Sequence, residues 1–136
     1  MDKVGLIWIV DDDKLYQFTM QRTVDKTNLI GNTVSFFDGK AALDSLVHAR
    51  HDITQIPDII FLDINMPIMD GWEFLDHYLK MKPTLAKESL IFIVSSSIDT
   101  ADKAKAHNIE GISDILVKPI GREYFIEIFQ KYISTH

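Results

Sequence analysis

The chain has 136 residues, 46% of them apolar, which suits one compact domain with a single core and leaves little room for a second. Its 14 Lys and Arg against 20 Asp and Glu give a formal charge of −6, which argues against nucleic acid or an anionic membrane as partner and favours a cation as guest. Absence of cysteine excludes disulfides and thiolate metal sites; with no signal peptide or bilayer-spanning apolar stretch, the cytoplasm is the expected compartment.

Short apolar runs alternate with amphipathic segments along the chain. The run Ile7-Trp8-Ile9-Val10 predicts a strand near 4–10 that stops at Asp11-Asp12-Asp13, and a helix near 14–27 follows, with Asp13 suited to cap it. Asn32-Thr33-Val34-Ser35-Phe36-Phe37 is mixed and suits an edge strand near 32–37, followed by a helix near 39–50. Ile59-Ile60-Phe61-Leu62 predicts a buried strand near 58–62 that ends at Asp63, before a helix near 71–82. Leu90-Ile91-Phe92-Ile93-Val94 predicts a strand near 90–94 that ends at Ser95, before a helix near 100–108. Ile115-Leu116-Val117 closes a strand near 113–117 at Lys118-Pro119. The last helix, near 122–133, shows as one stripe of Phe125, Ile128, Phe129 and Tyr132. Only Ser134-Thr135-His136 follow it, so a single domain over 1–136 with no output domain is expected.

Five βα units of this size imply an α/β fold: a doubly wound, flavodoxin-like, five-stranded parallel sheet of order 2-1-3-4-5 with helices on both faces. Ligands of such sheets bind where the direction of winding reverses, between strands 1 and 3. Asp11, Asp12 and Asp63 flank that point. Three carboxylates about 4–5 Å apart repel by roughly 3–4 kcal/mol per pair at an effective dielectric near 20, so a positive charge is expected among them. An oxygen-only donor set without His or Cys selects a hard cation, and Mg²⁺ is the usual choice where phosphate is the other ligand. A carboxylate at Asp63 can attack phosphorus once a metal offsets the charge, Lys118 can supply a point charge to a phosphoryl oxygen, and Ser95 a hydroxyl. Each of these residues alone has a plainer explanation as a cap, turn or solvated residue; together, after separate strands, they form a site.

Val10-Asp11-Asp12, Asp63-Ile64-Asn65-Met66-Pro67-Ile68-Met69-Asp70-Gly71, Val94-Ser95 and Val117-Lys118-Pro119 resemble the motifs of the receiver domains of two-component response regulators, and the resemblance spans essentially the whole chain. It implies that Asp63 accepts a phosphoryl group from a phosphohistidine on a sensor histidine kinase or phosphotransfer protein, and that the chain then relays it or binds a downstream protein. It further implies that Asp12, Asp63 and the backbone carbonyl of Asn65 hold Mg²⁺ directly, with Asp11 acting through water. Ser95, Lys118 and the backbone amide of Ser96 would bind phosphoryl oxygens, and the Lys118-Pro119 bond would be cis. A chain of this kind promotes its own phosphorylation and slow dephosphorylation and is not a turnover enzyme. Two positions depart from the family pattern: Ile115 stands where Tyr or Phe is common as a rotating switch residue, and Ser96 where Ala is favoured. Asn65 and Ser97 resemble the positions that tune dephosphorylation.

A phosphatase of the haloacid dehalogenase type also uses a strand-terminal Asp, a hydroxyl, a Lys and Mg²⁺. It wants a second Asp where this chain has Asn65, and acidic metal ligands that do not follow Lys118. A flavin carrier of flavodoxin type is disfavoured because Asp11-Asp12-Asp13 would repel the flavin phosphate. His48, His51, His77, His107 and His136 are scattered and read as surface or helix-end residues, Trp8 as core, and Trp72 as packing at the start of a helix.

Overall fold

The computed structural model describes residues 2–136 of the chain. Strands β1 (Val4–Val10), β2 (Ile30–Phe36), β3 (Ile59–Leu62), β4 (Leu90–Ser95) and β5 (Ile112–Val117) form one parallel sheet in the order β2-β1-β3-β4-β5. Helices α1 (Lys14–Asp25), α2 (Gly39–Ala49), α3 (Gly71–Met81), α4 (Thr100–His107) and α5 (Arg122–Thr135) alternate with them, and one 3-10 turn, Lys82–Thr84, follows α3. The doubly wound, flavodoxin-like arrangement expected from the sequence is the one observed.

Side chains alternate across a strand, so β1 sends Ile7 and Ile9 to one face of the sheet and Trp8 and Val10 to the other. On the first face Ile59, Phe61, Phe92 and Val94 meet Met20 and Val24 of α1 and Phe125, Ile128 and Phe129 of α5. On the second, Ile60, Leu62, Ile91 and Ile93 meet Ala42 and Leu46 of α2 and Phe74, Leu75 and Tyr78 of α3. Phe61 anchors the first face, with Phe125 edge-on at 5.4 Å and Phe92 stacked at 5.5 Å between ring centroids. Cover on both faces is why the central strands read as unbroken apolar runs, and each large side chain so buried contributes roughly 1.5–3 kcal/mol.

Several boundaries shift from the sequence expectation for reasons visible in the backbone. β2 begins at Ile30 rather than 32, because Val4 pairs with Ile30 and its N–H donates to the Leu29 carbonyl at 2.7 Å. It stops at Phe36, whose carbonyl accepts from Asp11 N–H at 3.0 Å, leaving Phe37 outside the ladder. α1 ends at Asp25 and the chain then passes through a left-handed residue at Asn28, φ 57°. α5 continues to Thr135, whose hydroxyl donates to the Lys131 carbonyl at 3.0 Å.

Candidate functional site

The ladder of the sheet continues one residue past the strands at their C-terminal edge, and this aligns the polar residues there. Asp63 N–H donates to the Val10 carbonyl at 2.9 Å and Lys118 N–H to the Ser95 carbonyl at 2.9 Å, as Asp11 N–H does to Phe36. The residues just beyond β1, β3 and β5, together with the last residue of β4, are therefore held in register by backbone bonds. Behind Asp63, Gly71 opens α3 so close that a Cβ on it would lie 2.5 Å from the Asp63 carbonyl oxygen and 2.7 Å from Ile64 Cα. Only glycine lets α3 start against that loop.

Asp11 and Asp63 are buried while Asp12 is exposed, and one carboxylate oxygen from each lies within 4.8 Å of the others. The Lys118 ammonium joins them, 2.6 Å from Asp11 Oδ2 and 3.5 Å from Asp63 Oδ2. The positive charge that the acidic cluster demands is thus met in part by the chain's own lysine. Asp63 Oδ1 accepts from Asn65 N–H at 3.1 Å, and Asn65 Nδ2 donates to Ser95 Oγ at 3.3 Å. Ser95 Oγ donates in turn to the Ser97 carbonyl at 3.3 Å. Asp13 caps α1 as expected, its Oδ1 accepting from Tyr16 N–H at 3.0 Å. The Lys118-Pro119 peptide is cis.

The electrostatics follow from burial. Desolvation holds the Asp63 carboxyl above the usual carboxylate range; the charge of Asp11 adds to this, while the Asn65 N–H and Lys118 pull the other way. Burial opposes the charge on Lys118, but the hydrogen bond and charge of Asp11, with Asp63 behind them, outweigh it and raise the ammonium above an ordinary lysine. Burial and the charges of Asp11 and Asp63 push the Tyr16 hydroxyl far above its ordinary value, so it stays neutral. The set combines hard oxygen donors for a cation with N–H and O–H donors for an anion. Oxygen ligands of an octahedral Mg²⁺ lie about 3–4 Å apart, so the carboxylate oxygens of Asp12 and Asp63, within 4.8 Å of each other, fit that ion with small side-chain adjustment, and Asp11 lies near enough to act through a water. Among the described residues this is the one such cluster of acidic or imidazole groups.

Two site residues were not singled out from the sequence. Tyr16 lays its ring against Lys118, whose Nζ is 4.2 Å from the ring centroid. The signal was available: a side chain in the first turn leans back toward the helix N-terminus, here toward the strand ends. Gln17 is buried, and its Nε2 donates to the carbonyls of Ile9 at 2.8 Å, Phe36 at 2.9 Å and Asp11 at 3.2 Å. A lone amide on the apolar stripe with Met20 and Val24 was its trace in the sequence. Away from the site, His48, His51, His77, His107 and His136 are exposed and Trp8 is buried. Trp72 is half-buried with Lys105 Nζ 4.9 Å from its ring centroid, and Ile115 is half-buried on the face of α2 and α3.

The family model of the response regulator receiver domain matches residues 7–130. The chain belongs to that family. It is 30% identical over 132 residues to the DNA-binding transcriptional regulator NtrC of Klebsiella pneumoniae, covering 97% of this chain and 25% of that protein. The chain thus spans about a quarter of the length of the NtrC proteins it matches. Among solved structures it is similar to a two-component response regulator from Cytophaga hutchinsonii, with TM-score 0.83, 27% identity and coverage of 97% of this chain and 98% of that one. The receiver domain of the sensor histidine kinase PA1611 from Pseudomonas aeruginosa shares the fold at TM-score 0.76 and 20% identity, with coverage of 97% and 98%; that structure has a magnesium ion coordinated in its active-site cleft. Among the described residues no helix is long and apolar enough to cross a membrane.

Proposed function

We propose that this receiver domain is the phosphoacceptor switch of a two-component relay. Asp63 takes a phosphoryl group from a phosphohistidine on a sensor kinase or phosphotransfer protein, and the phosphorylated form signals in the cytoplasm by binding a protein partner or passing the group on. The observation that carries this reading is the meeting of Asp63 with Asp11, Asp12 and Lys118 at one sheet edge, with an ammonium 3.5 Å from the acceptor carboxylate.

An Asp63 carboxylate oxygen bonds to phosphorus as the phosphorus–nitrogen bond of the donor breaks. The electron pair stays on the imidazole nitrogen, and a ring already protonated on its other nitrogen leaves neutral. Such a transfer asks chiefly for positioning and charge stabilisation. Lys118 and Ser95 supply donors to the phosphoryl oxygens, and the Ser96 amide adds a third. Asp12, Asp63 and the Asn65 carbonyl would hold Mg²⁺ directly and Asp11 through water, and the bound ion would supply positive charge to offset that of the incoming group. With Ile115 in place of an aromatic ring, the response runs through Ser95: drawn to the phosphoryl group, its hydroxyl leaves the Ser97 carbonyl and shifts the loop before α4.

Incubation with acetyl phosphate and Mg²⁺ should add one phosphoryl group, seen by mass spectrometry, and both a chelator and Asp63→Asn should abolish it. Label persisting on another residue contradicts the assignment, and sustained turnover of a phosphomonoester would favour a phosphatase instead.

A further inference from the structure

The contacts around Lys118 close into a circuit. Asp11 Oδ1 accepts from Asp13 N–H at 2.9 Å, and Asp13 Oδ1 accepts from Tyr16 N–H at 3.0 Å. The Tyr16 ring faces Lys118 Nζ at 4.2 Å from its centroid, and Nζ returns to Asp11 Oδ2 at 2.6 Å. We propose that Tyr16 is a positioning residue whose ring holds the Lys118 ammonium between Asp11 and Asp63, aimed at the place where a phosphoryl group would arrive. This rests on the role proposed above for Lys118.

A lysine ammonium is a point charge on a flexible four-carbon stem, so carboxylates alone do not fix where it sits. Here it is already drawn closer to Asp11 than to Asp63, 2.6 against 3.5 Å. Its N–H groups reach two carboxylates, and its remaining side is turned to an aromatic face, which attracts the charge and excludes water. The Lys118 side chain is accordingly 12% exposed although it stands at the rim of the sheet. β5 presents no ring near its lysine, since the residue three positions earlier is Ile115, so the aromatic wall comes from α1. The run Asp11-Asp12-Asp13 has two functions in this arrangement. It lends carboxylates to the site, and through Asp13 it pins the backbone of the residue that orients the lysine.

The test compares Tyr16→Phe, Tyr16→Leu and Tyr16→Met in the full chain. The ring should move the ε-methylene protons of Lys118 upfield in the proton NMR spectrum of the wild type and of Tyr16→Phe, and the Leu and Met variants should lose that shift. Labelling by acetyl phosphate at saturating Mg²⁺ should slow about tenfold in Tyr16→Leu and Tyr16→Met, as expected for loss of a desolvated cation–π contact, and stay within about twofold of wild type in Tyr16→Phe. If Tyr16→Leu fails to fold, the pair Phe and Met decides, because Met keeps the bulk without the ring. Wild-type labelling rates in the Met variant, or a Phe variant as slow as Met, overturn the proposal. A wild-type chain that takes no label defeats the proposed function, and the Lys118 proton shift then decides the clamp by itself.

Discussion

Ile68 shows what a single residue in the loop after Asp63 tolerates. It is β-branched, 78% exposed, and held in the left-handed region at φ 70°, a conformation that crowds its Cβ against the backbone. Ile68→Gly should stabilise the fold by about 1 kcal/mol in urea unfolding, relief of strain exceeding the entropy glycine adds to the unfolded chain. Asp63 is strained in another way, by charge. Its folded carboxyl binds a proton more tightly than the unfolded one, so its contribution to stability is present below the ordinary value of 3.8 and lost as pH rises through the higher folded value. At neutral pH the ionised group opposes folding. Asp63→Asn should therefore melt higher than wild type at pH 7, and the gap should close in acid; thermal melts across pH read both, and a variant melting lower at pH 7 would contradict the charge argument.

At the scale of elements, α1 is the part that ties the site to the sheet. Its Gln17 ties the carbonyls of Ile9, near the end of β1, and Phe36, the end of β2, to the first turns of the helix, and Asp13 closes its N-terminus. Gln17→Leu leaves the carbonyls of Ile9, Asp11 and Phe36 without this donor and should cost about 2 kcal/mol in unfolding free energy, partly offset by the apolar burial it adds. An unchanged denaturation midpoint would show that the amide is not what anchors the loop. The elements themselves were largely legible in the sequence, because alternating burial on two covered faces leaves continuous apolar runs such as Leu90–Val94. The start of β2 was not, since Ile30 and Gly31 join the strand only through pairing with β1.

Across the whole molecule a buried aspartate stands at each end of the strands, and the two carboxyls are shifted in opposite directions from the ordinary value. At the edge away from the site, buried Asp58 accepts from Leu6 N–H at 2.9 Å, Lys87 Nζ at 2.6 Å and the Tyr132 hydroxyl at 2.8 Å, joining β1, the approach to β4 and α5. Burial alone would raise its pKa, but Lys87, the Leu6 N–H and the Tyr132 hydroxyl together hold it below the ordinary carboxylate value. Its stabilisation is therefore present above that ordinary value and lost as pH falls through the lowered one. Asp58→Asn should cost about 2–3 kcal/mol at neutral pH, with the difference from wild type vanishing in strong acid, as denaturant titrations at several pH values would read. Mutations at the site edge and at this edge should thus shift the pH dependence of stability in opposite directions.

The amino-acid sequence by itself determined the alternation of strands and helices and the placing of Asp11, Asp12, Asp63, Ser95 and Lys118 at strand ends, because these follow from hydrophobic period and from residues adjacent in the chain; the order of the sheet was expected only through the fold class that five βα units imply. The tertiary structure alone decided that Lys118 pairs first with Asp11, that Asn65 reaches Ser95, and that Tyr16 and Gln17 belong to the site. Those contacts join side chains from separate elements, and which of them meet depends on how α1 seats on the sheet and how far each side chain reaches, neither of which a local pattern encodes.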